Sequence, residues 1–285
     1  MKKLMCLMMM LGLLASCSSG NEDFESANIS EDEIPFTFTV SPYVIEPMTR
    51  GAGDPVTITS VCSKIDLFLV CGDDDVISAH QVSTDTNYGT ISVVLNKKKT
   101  YSVYLVAHNS TSAATLSGDK TYISFADDNI TDTYYYTGSL TPTTSSLTCA
   151  MTHTVARFSV WITDAFPSTV DKVVINTSDS GKKLAVTGVG TDVGSLDKVF
   201  TSWTSASSGT MLSMNVLPTS VTESVTMDFT VTAYEGTVVR QSRPFNDVTM
   251  RAGYKTMYKG EFFIDNPFGF SLSGIDWYSY DTVDF

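Results

Sequence analysis

The stretch IPFTFTVSPYVIEPMTRGAG, Ile34 to Gly53, begins as a strand and ends as a loop. Phe36, Phe38, Val40 and Val44 fall on one face, and Thr37, Thr39, Ser41 and Tyr43 on the other. That period of two is what a half-buried strand requires. Pro42 and Pro47 have no backbone N–H, so the strand is expected at a sheet edge or ending there. Then comes Glu46-Pro47-Met48-Thr49-Arg50-Gly51-Ala52-Gly53, where Arg50 is the first basic residue after Lys3. A basic residue between a proline and two glycines belongs to an exposed loop that a protease can reach. Such a strand, if it left, would uncover an apolar groove. The alternative is an ordinary first strand followed by an ordinary loop.

Upstream, Met1 to Gly20 reads MKKLMCLMMMLGLLASCSSG. Two lysines and the short apolar run Leu4 to Leu14 make a signal peptide, since spanning a bilayer takes about 20 residues. Leu14-Ala15-Ser16-Cys17 resembles a bacterial lipobox, which places cleavage after residue 16 and lipidation on Cys17. Acyl chains there would hold the protein at a membrane surface. Residues 17–33 are polar and acidic, with six carboxylates and no basic residue between Ser18 and Glu33. They read as a solvated tether.

From Val56 onward the chain is rich in Thr, Ser, Val and Tyr, in short alternating runs punctuated by Gly, Asn and Asp. Expected strands include Val56–Val70, Val76–Gln81, Thr90–Leu95, Ser102–His108, Tyr134–Leu140 and Ser146–His153. Further along they include Ala156–Thr163, Lys172–Asn176, Lys182–Val189, Val199–Trp203, Met211–Val216, Val225–Tyr234, Thr237–Arg243, Lys255–Ile264 and a tail from Phe268 to Phe285. Many short strands at regular spacing read as all-β sandwiches. The length allows two domains, and Thr141–Ser146 is the most linker-like stretch, so the expected division is 34–146 and 147–285. Asn109–Thr133 is expected as loops with one short helix near Ala113–Leu116, and no repeat of fixed short period is visible.

Chemistry is sparse. The formal net charge of −13 argues against nucleic acid, whose phosphates need basic patches. His80, His108 and His153 are far apart, each in or beside a strand, and read as structural. H-E-x-x-H and C-x-x-C are absent. Gly188 to Gly194 has one residue too many for a dinucleotide fingerprint and reads as a turn. Ser180 to Lys183 fits S-x-x-K, but no K-T-G accompanies it. Asp73-Asp74-Asp75 and Asp127-Asp128 read as solvated tips. Cys62, Cys71 and Cys149 remain once Cys6 and Cys17 are set aside, an odd number that reads as buried thiols. The expectation is a protein without catalytic, cofactor or metal residues. Aromatic clusters at Tyr134-Tyr135-Tyr136 and around Trp277-Tyr278-Ser279-Tyr280 are the candidates for binding a glycan.

Three internal patterns complete the picture: Met151-Thr-His-Thr-Val-Ala-Arg-Phe-Ser-Val160, Arg243-Pro-Phe-Asn-Asp-Val248 leading to Lys255–Phe263, and Phe268-Gly-Phe-Ser-Leu-Ser-Gly-Ile-Asp-Trp277. With the lipobox and the Thr49-Arg50-Gly51 loop, their order resembles the fimbrillin superfamily of Bacteroidetes, the FimA-like and Mfa-like pilin subunits. The resemblance covers essentially the whole chain. It implies two tandem transthyretin-like β-sandwiches, and passage to the cell outer membrane as a lipoprotein. It also implies a cut by an Arg-specific protease between Arg50 and Gly51, and incorporation into an extracellular fimbrium. The lost strand, carrying Phe36, Phe38, Val40 and Val44, would be replaced by a strand from the next subunit. The tail offers Ile275, Trp277, Val283 and Phe285 in one alternation as that donor. The implied partners are other pilin subunits, the protease, the membrane through the lipid, and a host surface ligand. The alternative function is a monomeric surface lipoprotein that keeps its first strand and binds glycan.

Overall fold

The computed structural model describes residues 30–41, 57–72, 75–126, 130–203, 209–264 and 270–277, with side chains up to Ser273 in the last segment. The signal peptide, Cys17, Val44, Arg50, Gly51, Val283 and Phe285 lie outside the described residues.

The first half holds β1 (Glu33–Val40), a single helical turn α1 (Ile58–Val61), β2 (Lys64–Cys71), β3 (Asp75–Val82), β4 (Thr90–Asn96) and β5 (Tyr101–His108). After them come β6 (Thr115–Leu116), β7 (Tyr122–Ser124), β8 (Thr133–Leu140), β9 (Ser146–Cys149) and β10 (Thr152–His153). The second half holds β11 (Ala156–Ile162), β12 (Lys172–Ala185), β13 (Gly190–Phe200), β14 (Thr210–Val216), β15 (Val225–Glu235), β16 (Val238–Met250), β17 (Tyr254–Gly260) and β18 (Phe270–Trp277). The expected all-β sandwich is the fold observed. Sheets of order β4-β1-β9 and β10-β8-β5-β2-β3 face each other in the first half. In the second, β14-β11-β17-β18 faces β16-β15-β12, with β13 on the other side of β12.

Alternation places the cores. Along β15, Met227, Phe229, Val231 and Ala233 point inward while their neighbours are polar or partly exposed. Phe229 stacks on Phe158 of β11 at 4.0 Å between ring centroids, and Phe245 of β16 meets Phe158 edge-on at 5.4 Å. The first core is built the same way, from Phe36 and Phe38 of β1, Leu67 and Leu69 of β2, and Val103 and Leu105 of β5.

The two halves repeat one topology that the sequence does not display. β1 pairs antiparallel with β4 and parallel with β9; β11 pairs antiparallel with β14 and parallel with β17. The opposing sheet runs β8-β5-β2-β3 in one half and β16-β15-β12-β13 in the other. Among the described residues, the first half shows no counterpart of β18.

Several expectations are corrected. Val56–Val70 is not one strand: Ile58 and Val61, three apart, bury together on a helical turn, closed by the Cys62 N–H donating to the Ile58 carbonyl. Lys172–Asn176 and Lys182–Ala185 are parts of the single strand β12, bulged between Thr177 and Ser180, and Val186–Val189 form the turn after it. The glycine-rich stretch after Val186 turns but then continues as β13. Gly190 lies so close to the Leu217 carbonyl that a Cβ would collide with it, which is why a glycine is needed there. Asn109–Thr133 contains no helix at Ala113–Leu116. Instead, β7 adds to the second half's sheet through Ile123 opposite Leu184. The expected division at 146/147 cuts into β9. Ser146–His153 pairs with β1 and β8 of the first half, and the second half's own sheets begin at Ala156. The acidic tether also ends earlier than expected, because the Asp32 carbonyl accepts from Lys97 and its carboxylate meets Lys98 at 2.8 Å.

A third apolar cluster joins the halves. Phe68, Val106 and Tyr135, on the outer face of the first half's larger sheet, pack with Ile123, Leu184 and Leu217.

Candidate functional site

β1 is the element the sequence singles out, and its setting decides what its removal would do. Phe36 and Phe38 are both fully buried, their rings 5.0 Å apart, whereas Val40 is half-buried. The strand is not at an edge, contrary to expectation. It lies between β4, with seven residue pairs from Glu33–Asn96 to Thr39–Thr90, and β9, with four pairs from Thr37–Ser146 to Val40–Cys149. The prolines that suggested an edge, Pro42 and Pro47, come after the strand ends. Pro35 lies within it, and is tolerated for a local reason. Thr37 donates to Ser145, so the odd-numbered residues of β1 aim at β9, and β9 does not reach as far as Pro35. Removing β1 would therefore leave a gap one strand wide, walled by β4 and β9 and floored by the pockets of Phe36 and Phe38.

The proposed donor residues divide. Ile275 and Trp277 lie in β18, paired in the same chain with Thr256 and Tyr254 of β17. They are edge-strand residues of their own sandwich, not a free tail. The segment leading into β18 is anchored at Asp164, whose carboxylate accepts the backbone N–H groups of Phe262, Phe263 and Ile264 at 2.8, 2.7 and 3.1 Å.

The three histidines occupy buried or half-buried polar clusters that their spacing gives no hint of. Asp66 of β2 is buried and accepts from His80 Nδ1 at 2.6 Å, His108 Nε2 at 2.7 Å and the Ala114 N–H at 2.9 Å. The Ser110 N–H donates to His108 Nδ1, which leaves the Nε2 proton to face Asp66. His153 stacks on Tyr134 at 4.4 Å, with Asp132 3.7 Å from its Nε2 and Arg157 3.7 Å from the same carboxylate. These pairs connect strands β2, β3, β5 and β11 to the 109–133 segment, a structural role. Among the described residues, no group of three or more His, Cys, Asp or Glu side chains could hold a metal ion.

Cys62, Cys71 and Cys149 are free thiols. Burial pushes the Cys149 thiol up to about 12, and burial followed by the Asp132 charge pushes Cys62 up as well. Cys62 closes α1 and is not part of the strand expected over Val56–Val70. The glycan reading of Tyr134–Tyr136 also fails in part: Tyr134 and Tyr135 are buried, and the Tyr135 hydroxyl donates to the Val186 carbonyl.

No family model and no curated protein matches the chain in sequence. Solved structures do match in shape. A candidate adhesin from Bacteroides ovatus superposes with a TM-score of 0.53 at 10% identity, over 87% of this chain and 97% of that one. A candidate adhesin from Bacteroides thetaiotaomicron gives 0.50 at 8% identity, over 80% and 92%. The fimbrial anchor protein Mfa2 from Porphyromonas gingivalis gives 0.49 at 11%, over 85% and 95%. The chain thus shares the fold of the two candidate Bacteroides adhesins over 80–87% of its length.

Proposed function

We propose that this protein is a structural subunit of a surface fimbrium that serves adhesion, exported as an outer-membrane lipoprotein on Cys17 and matured by an Arg-specific protease between Arg50 and Gly51. A strand from another subunit then takes the place of β1. The observation that carries this reading is β1 itself. Its two phenylalanines are buried in the first core, yet its only covalent link to the rest of its sandwich is the chain segment that contains Arg50. Each buried Phe is worth about 1.5–3 kcal/mol of transfer energy, so the vacated gap is a strong driving force for a replacement strand. Head-to-tail exchange of this kind does not close on itself and builds filaments. With Ile275 and Trp277 engaged in β18, the donor is the segment beyond it, with Val283 and Phe285 as the pocket-filling residues. Ile275 and Trp277 take part only if β18 also leaves β17. The subunit works without a cofactor and is not an enzyme; its partners are other pilin subunits, and its outermost copies meet a host surface ligand.

The interior position of β1 favours a second reading: a monomeric surface lipoprotein that keeps β1 and binds glycan. Limited trypsin digestion of the protein from Ser18 onward separates the two. An early cut giving an N-terminus at Gly51, followed by higher oligomers on size-exclusion chromatography, supports the subunit. Resistance at Arg50, or a cut protein that stays monomeric with β1 retained, supports the monomer.

A further inference from the structure

β1 is held differently at its two ends. Where it begins, the turn after β4 carries Lys97, Lys98 and Lys99, the one run of three cations in the chain. The Lys97 N–H donates to the Asp32 carbonyl at 2.7 Å, and Lys97 Nζ donates to the Glu31 carbonyl at 3.1 Å. Lys98 Nζ meets the Asp32 carboxylate at 2.8 Å. The Glu33 carboxylate turns back to accept the Ser30 N–H at 3.1 Å, so Asp32 rather than Glu33 brings charge to the turn. Where β1 ends, the ties are backbone bonds. The Val40 N–H donates to the Gly89 carbonyl at 2.9 Å and the Ser41 N–H to the Cys149 carbonyl at 3.0 Å. The place of β1 is therefore polarised, with a carboxylate held at one end.

These contacts of Lys97 and Lys98 come from residues 31 and 32, which leave with β1 in the proposed exchange. The Lys99 contact stays. Its Nζ meets Asp75 of β3 at 2.8 Å, and the bond and charge of that pair hold the Asp75 carboxyl low and the Lys99 ammonium high. Asp75 is thus committed to Lys99, and loss of β1 removes the carboxylate that faced Lys98. An exposed pair such as Lys98–Asp32, with side chains 73% and 47% exposed, adds little stability. Charges at the rim of a binding site act instead on association rate and register.

We propose that the Lys97–Lys98 turn is a carboxylate-binding site for whichever strand fills the place of β1: first Asp32 of the same chain, then Asp281 of the copy whose tail replaces β1. This deepens the exchange proposed above and rests on it. Residues 278–285 hold Asp281 and Asp284 and no cation. With Val283 and Phe285 on the places of Phe36 and Phe38, in the direction of β1, Asp281 falls on the place of Ile34. That is two residues, about 7 Å, from the place of Asp32, a shift that the flexible four-carbon stem of a lysine can follow. Ile34 is half-buried, so a carboxylate there is not sealed in the core. Turned end for end, the same strand would carry Asp281 to the place of Val40, away from the lysines. The site therefore selects direction as well as register.

The test is assembly of the protein from Ser18 onward after cutting with an Arg-specific protease, followed by light scattering and size-exclusion chromatography. Every form carries Asp32→Asn, so that the hold on the leaving strand does not vary with the charge at Lys98. Lys98→Glu and Asp281→Lys should each slow oligomer growth about tenfold in 0.01 M salt, and the two together should restore it to within about threefold. In 1 M salt, where the Debye length falls from about 30 Å to about 3 Å, the single reversals should match the parent. Lys98→Gln and Asp281→Asn should each slow growth about threefold at low salt, and no further when combined, because either one removes the same pair. If a reversal does not fold, this neutral pair decides. If the parent assembles and the variants do not slow it, or the double reversal fails to restore it, the carboxylate site is overturned and the strand exchange stands. If the parent resists the cut or stays monomeric after it, the exchange fails and the site with it.

Discussion

The two halves of this molecule are built on one plan, and they differ most where the plan begins. β11 and β1 occupy the same central place, antiparallel to one neighbour and parallel to the other. β11 runs directly from β10 and on into β12, and its sheet is extended by β18 on the far side of β17. β1 is the first strand among the described residues, followed in sequence by a segment with two prolines, an arginine and two glycines, and the equivalent flank of β9 carries no further strand among them. On the proposed function, a core strand is committed to the fold in one half and would become separable in the other after a cut at Arg50. The burial is alike: Phe158 is as fully enclosed as Phe36 and Phe38. Packing does not set β1 apart from β11; its place in the chain does.

That contrast can be broken by experiment. The largest effect should come from core truncation. Phe38→Ala and Phe158→Ala should each cost about 3–5 kcal/mol in urea unfolding of the intact protein. After cleavage at Arg50 and loss of β1, Phe38→Ala should have no effect while Phe158→Ala keeps its full cost. Equal sensitivity before and after cleavage would mean that β1 stays in place.

Next in size is Gly190→Ala, which forces the β12–β13 hairpin away from Leu217 and should cost about 1–3 kcal/mol. The loss should appear by hydrogen exchange in the second half and at the Leu184–Leu217 junction rather than around β1. Asp164→Ala should cost about 1–3 kcal/mol by leaving the Phe262, Phe263 and Ile264 N–H groups without their acceptor. It should also speed exchange of β18 amides, a direct measure of how readily that strand leaves β17.

Smaller again is the alkaline response. Cys149 and Cys62 have thiols raised by burial, and Tyr88 and Tyr135 hydroxyls are raised by the same cause. A folded pKa above the unfolded one means stability is complete below the unfolded thiol value, near 9, and is lost as pH rises toward about 12. Melting temperature should be flat from pH 7 to 8.5 and fall above pH 9, and Cys149→Ser should blunt the fall. The smallest effect is expected at the exposed Lys99–Asp75 pair at 2.8 Å, where Lys99→Ala should leave the melting temperature unchanged within error.

Alternation of apolar and polar residues was enough to read the class of the fold, most of its strands and the inward face of β1, because a strand's two faces are written in adjacent residues. Its neighbours are not. The partner that makes β1 an interior strand is Ser146–Cys149, more than a hundred residues away, and nothing within Ile34–Gly53 reports it. The same holds for Asp66, His80 and His108, which ladder register brings together, and for β12, whose bulge split one strand into two apparent ones. The repeat of the two halves is invisible in sequence because it conserves pairing order, not residues. The chain by itself determined that it is all-β and acidic, and that an alternating strand is followed in sequence by two prolines, Arg50 and two glycines. Only the tertiary structure decided which strands are interior and that Ile275 and Trp277 are paired within their own chain. Periodicity is local and survives in one dimension; edges, gaps and seams exist only between segments that folding brings together.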